Sequence, residues 1–73
     1  MTDRQPIENL IEAALFFQGG ALSIKELAKA IGESPERTEE GITSLAASLE
    51  GTGLSIVREG GRVALGTAPA VHQ

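Results

Sequence analysis

A chain of 73 residues with no Cys and a formal net charge of −4 has room for one domain and excludes disulfides and thiolate metal sites. Its six basic residues, Arg4, Lys25, Lys29, Arg37, Arg58 and Arg62, are scattered, which counts against a task that depends on Lys and Arg neutralising phosphates. The longest unbroken apolar run, Ala13 to Phe17, is far too short to span a bilayer and follows no basic leader, so a soluble cytoplasmic domain without a membrane role is expected.

Residues 1–5 are polar and read as a flexible N-terminus. Pro6 suits the first turn of a helix, where its missing N–H costs nothing. A first helix is predicted from about Pro6 to Gln18. Ile7, Leu10, Ile11, Ala14 and Leu15 follow the i, i+3, i+4, i+7, i+8 spacing of a core-facing stripe. Phe17 falls at an edge of that stripe. Phe16 does not belong to it, because at roughly 100° per residue it points about 180° away from Ile7. Gly19 and Gly20 end the helix.

Leu22 to Leu27 is a dense start signal for a second helix, expected to run to about Ile31. Ser23 is its N-cap and Glu26 closes a capping box, with Leu22 and Leu27 at the positions of a hydrophobic staple. Ile24, Leu27, Ala28 and Ile31 form its buried stripe, and Lys25 and Lys29 lie on the outer face. Gly32 is the turn. Ser34-Pro35-Glu36 starts a third helix, with Ser as cap, Pro at the first helical position and an acid in the first turn. That helix reaches about Leu49, with Thr38, Ile42, Leu45, Ala46 and Leu49 as its inner stripe. Gly41 weakens it by about 1 kcal/mol relative to Ala and marks the close approach of another backbone.

Gly51-Thr52-Gly53 turns the chain into two short apolar runs, Leu54 to Glu59 and Arg62 to Thr67. The intervening Gly60-Gly61 is a two-residue hairpin signal. Pairing Glu59 with Arg62 sets Arg58 against Val63, Ile56 against Leu65 and Leu54 against Thr67. Leu54, Ile56, Val63 and Leu65 then share a core face, Val57 and Ala64 form a small apolar pair on the other, and Glu59 and Arg62 make a cross-strand ion pair. The fold class that follows is α+β: a winged helix-turn-helix of three helices and a two-stranded wing, spanning residues 6–68. Residues 69–73 read as a linker or tail.

No catalytic constellation is visible. The lone His72 and lone Asp3 lie in the presumed tail and start, whereas a triad needs both in fixed geometry. Glu36 and Glu40 are helical neighbours on a solvated face. Gly51-Thr52-Gly53 lacks the preceding strand and following helix of a phosphate loop. The chain is therefore expected to be no enzyme and to need no cofactor or metal. A DNA-reading helix-turn-helix lays its second helix in the major groove. From Pro35 to Glu50 that helix has one Arg against four Glu, a surface that phosphates repel. A winged-helix DNA-binding regulator is the alternative reading, with no direct sequence-specific nucleic-acid contact as the expectation. The remaining surplus is apolar. Phe16 is either covered, by the N-terminal arm or tail or because the first helix is sandwiched within the domain, or else meets another protein, as exposed aromatic surface tends to do. Phe16, Val57 and Ala64 are the candidate dimer-interface residues.

Ile11-Glu12-Ala13-Ala14-Leu15-Phe16, then Gly19, Leu22-Ser23 and Glu26-Leu27-Ala28 resemble the opening of segregation and condensation protein B, the bacterial ScpB family. Gly53-Leu54-Ser55-Ile56-Val57, Gly60-Gly61-Arg62-Val63-Ala64-Leu65 and Thr67-Ala68-Pro69 resemble later segments of the same family. The ordered set covers about Ile7 to Pro69. Gly20-Ala21 departs from the usual acid and Pro, and no Tyr precedes the second strand's apolar pair. The resemblance implies a non-enzymatic subunit of a condensin-type complex for chromosome condensation and partition. It implies a homodimer whose full-length form partners a kleisin subunit and a structural-maintenance-of-chromosomes ATPase, cytoplasmic and nucleoid-associated through that complex. Family members carry two winged-helix domains in tandem. The resemblance covers the first, the one associated with homodimerisation, and implies that the kleisin contacts depend largely on the second.

Overall fold

The computed structural model describes residues 5–67; the expected tail at 69–73, His72 and Asp3 lie outside them. Pro6 opens α1 (Pro6–Gln18), and Gly19 closes it by donating its N–H to Leu15 O. Ser23 caps α2 (Ile24–Ile31) with the complete capping box: its Oγ accepts the Glu26 N–H at 3.1 Å, and Glu26 Oε1 accepts the Ser23 N–H at 2.9 Å. Ser34 caps α3 (Pro35–Ser48) by accepting the Arg37 N–H at 3.1 Å. No helix among the described residues is long and apolar enough to cross a membrane.

A three-stranded antiparallel sheet completes the fold, where a two-stranded wing is expected from the sequence. Its order is β1 (Leu22–Ser23), β3 (Arg62–Thr67), β2 (Leu54–Glu59). The hairpin register is the predicted one, from Glu59↔Arg62 to Leu54↔Thr67. Gly60 and Gly61 have φ of 58° and 78°, the pair of positive values a tight type I′ turn requires. The addition is β1, which pairs Leu22↔Val63 and Ser23↔Arg62. Two residues carry no periodic signal. Ser23 serves twice because an N-cap already has an extended backbone (φ −69°, ψ 161°), the geometry a strand needs.

The core draws Ile7, Ile11 and Leu15 from α1, Leu27 from α2, Ile42 and Leu45 from α3, Leu49 just beyond it, and Val63 from β3. Ala14, Leu22, Ile24, Ile31, Ile56 and Leu65 pack around it half-buried. Two stripe assignments change. Leu10 is 48 % exposed, and Ala46 is exposed. The buried line of α1 is the narrower i, i+4, i+8 set, because α1 presses one edge onto α3. Gly41 is where they meet. A Cβ there would stand 2.6 Å from Ile11 Cδ1 and 3.1 Å from Ile7 Cγ1. The close approach expected at Gly41 is thus made by α1 side chains, not by another backbone. Buried Thr38 donates its hydroxyl to Ser34 O at 2.8 Å. Glu8, which no apolar pattern marks, is also buried.

Candidate interaction surfaces

Charge separates the possible partners first. Arg37 pairs with Glu40 at 3.2 Å, Arg58 with Glu39 at 3.1 Å, and Arg62 with Glu26 at 3.8 Å. Every described arginine is thus held by a carboxylate, and the outward side of α3 offers Glu36, Glu39 and Glu40. Such half-exposed pairs stabilise the fold little. They do occupy the guanidinium groups that a phosphate backbone would need.

Arg58 lies on the strand face that looks toward the helices, and its head crosses to α3. Arg62 departs from expectation. Its guanidinium goes to Glu26, not to its cross-strand neighbour Glu59, because the Ser23↔Arg62 pairing brings the capping box of α2 alongside. The Glu26 carboxyl is held below its ordinary value, chiefly by the Ser23 backbone N–H, with the Ser23 hydroxyl and Arg62 adding to it.

Apolar surface is concentrated on α1. Phe16 is 80 % exposed and Phe17 91 %, yet they look different ways, about 100° apart around the helix axis. Phe16 overhangs a groove of about 330 Å³ between α1 and the sheet, whose walls include Leu54, Leu65 and Gly66. Phe17 and Leu10 border a larger groove of about 700 Å³ between α1 and α2. Ala13, Ala14 and Ala30 line it, with Leu22 and Ile31 opposite α1.

Val57 and Ala64 face each other across the outer side of the hairpin, as predicted. Val57 is exposed and Ala64 half-buried. Val57 leans over Gly66, where its Cγ2 lies 2.9 Å from the position of a would-be Cβ. The three predicted interface residues therefore occupy two places: Phe16 on the helix side of the sheet, Val57 and Ala64 on the other. The groove at Phe17 and Leu10 was not foreseen. Its signal is their seven-residue spacing, which puts both on one line of α1, but a core stripe shares that spacing.

The family model described as segregation and condensation complex subunit ScpB matches residues 9–73. No curated protein matches the chain. The crystal structure of a dimer of the ScpB N-terminal domain complexed with ScpA peptide is similar to it with a TM-score of 0.78 and 28 % sequence identity. That similarity covers 93 % of this chain and 82 % of the other.

Proposed function

This chain belongs to the segregation and condensation complex subunit ScpB family, and from that premise we propose that it is a dimerisation module that also receives a segment of the kleisin subunit. The family is a non-enzymatic part of a condensin-type complex, so the work of this chain is protein–protein interaction in chromosome segregation and condensation. In the proposed setting the kleisin joins it to a structural-maintenance-of-chromosomes ATPase, which places the domain in the cytoplasm at the nucleoid.

The observation that carries the dimer reading is Phe16 beside its groove. A two-fold contact needs a patch that is its own complement. Here a projecting aromatic ring stands next to an apolar hollow walled by Leu54 and Leu65. Two copies related by a two-fold axis can each insert Phe16 into the other. Val57 and Ala64, on the outer sheet face, are a second apolar contact of the same module. The solved relative with 28 % identity is itself a dimer holding a peptide, which supports both halves of the reading. Small domains also gain stability from association that their own cores cannot supply.

Sedimentation equilibrium tests it. The wild type is expected to be a dimer, and Phe16→Ala to weaken association by about tenfold or more, the loss of one well-buried aromatic anchor. A wild type that stays monomeric at high concentration overturns the dimer. A dimer unchanged by Phe16→Ala moves the interface elsewhere, with Val57→Ser as the next variant to measure.

A further inference from the structure

We propose that the hydrogen bond from Ser48 to Glu8 is a rotational lock on α1. It holds the helix rolled so that Leu10 and Phe17 face outward and the hollow between α1 and α2 stays open. Glu8 and Ser48 are thus positioning residues for the apolar surface of α1, whichever part of that surface carries self-association.

The seating of α1 is not the one its apolar residues would choose. At about 100° per residue, Ile7, Leu10, Ile11, Ala14 and Leu15 centre close to the direction of Ile7. The residues that are buried, Ile7, Glu8, Ile11 and Leu15, centre roughly 45° further round the helix. The difference exchanges apolar for charged: Leu10 and Phe17 are left exposed, and Glu8 is buried.

Burial of apolar surface is favourable and non-directional. Acting alone it would roll α1 back, carrying Leu10 and Phe17 inward and Glu8 out to water. There is room for that roll. The hollow of about 700 Å³ beside Leu10 and Phe17, lined by Ala14, Leu22 and Ile31, lies on the side they would enter. The close approach at Gly41 does not prevent it, because Ile7 and Ile11, which meet Gly41, stay on the inner side in either seating.

A directional contact selects the observed seating. Ser48 Oγ, at the end of α3, donates to Glu8 Oε1 at 2.7 Å. A carboxylate withdrawn from water needs such a donor. A buried polar contact can fix one register among apolar packings that are otherwise close in energy.

Thiol labelling tests the lock. The chain has no Cys, so Leu10→Cys places a single reporter on the line that the roll would bury and keeps a small apolar side chain there. The reporter is expected to react quickly in the otherwise wild-type chain. Adding Ser48→Ala leaves Glu8 without its donor. Labelling is then expected to slow by about tenfold, as the rolled seating comes to hold about nine-tenths of the molecules. Glu8→Lys, whose charge has no buried partner, breaks the lock from the other side and is expected to slow labelling likewise. Ser48→Ala combined with Glu8→Leu makes position 8 apolar and favours its burial again, so the fast rate is expected to return. An osmolyte that strengthens burial keeps the variants folded during the measurement.

The sign separates a lock from a tie that only adds stability. A domain that merely loosens exposes the thiol more. Labelling that is unchanged or faster in both Ser48→Ala and Glu8→Lys overturns the proposal, and so does a double variant that stays slow. Slowing that depends on protein concentration comes from a second copy covering Leu10, and it overturns the lock as well.

Discussion

The hydroxyl of Ser48, at the end of α3, donates a 2.7 Å hydrogen bond to Oε1 of Glu8 in the first turn of α1. Glu8 is 4 % exposed, so this bond satisfies a carboxylate withdrawn from water. It ties the α1 N-terminal turn to the α3 C-terminal turn across forty residues of chain. Ser48→Ala is expected to destabilise the domain by about 1.5–3 kcal/mol, the range for a bond to a charged group whose loss leaves a buried acceptor. Glu8→Gln keeps an acceptor for Ser48 and loses mainly the favourable charge at the helix start, about 0.3–1 kcal/mol. Urea unfolding of both variants checks the order; Glu8→Gln costing more than Ser48→Ala would refute it.

At Gly41 two effects of opposite sign compete. Gly41→Ala gains about 1 kcal/mol of helix propensity. It also drives a methyl against Ile11 Cδ1, where only 2.6 Å is available, and overpacking of a tight core costs about 1–3 kcal/mol. Ile11 is fully buried, so its end group has little room to move, and net destabilisation by about 1 kcal/mol is expected. Ile11→Val removes the obstructing atom and alone costs about 0.5–1.5 kcal/mol. The double variant should therefore be more stable than the sum of the single changes allows. Strict additivity would mean that the helices already separate to admit the methyl.

Glu26 gives the pH prediction. Its folded pKa lies below the ordinary value of 4.5 because the Ser23 N–H, the Ser23 hydroxyl and Arg62 all favour the carboxylate. A depressed folded pKa means that the unfolded chain binds the proton first. The stabilisation is complete above the ordinary value and is lost as pH falls through the lowered one. An NMR titration of the Glu26 side chain should show a midpoint below those of solvated carboxylates. Glu26→Gln should flatten that part of the acid limb of stability. A midpoint at or above the ordinary value would mean that the capping box is open in solution.

DNA binding is expected to be absent even at low salt. Arg37, Arg58 and Arg62 are paired with Glu40, Glu39 and Glu26, and the outward side of α3 is acidic. A gel shift that appears at low salt and fades as salt rises is the signature of phosphate contact, and seeing it would reopen the regulator reading.

Much of this domain is legible from local pattern. The three caps, the Gly-Gly turn and the register from Glu59↔Arg62 to Leu54↔Thr67 depend on neighbours within a few residues, so composition and spacing determine them. The position of Phe16 opposite its helix's own stripe follows as well, whereas its 80 % exposure is decided by what the rest of the fold leaves uncovered. Tertiary structure alone decides what meets across the chain. Leu10 and Phe17 carry the spacing of a core stripe, and only the seating of α1 against α3 at Gly41 turns that line outward to the α2 groove. Glu8 reads as a first-turn acid, and only the arrival of Ser48 permits its burial. Arg62 faces Glu59 in sequence logic, yet β1 delivers Glu26 instead. Periodicity states which residues share a face. Which neighbour covers that face is settled by helix packing and by a two-residue strand, and neither leaves a repeat in the sequence.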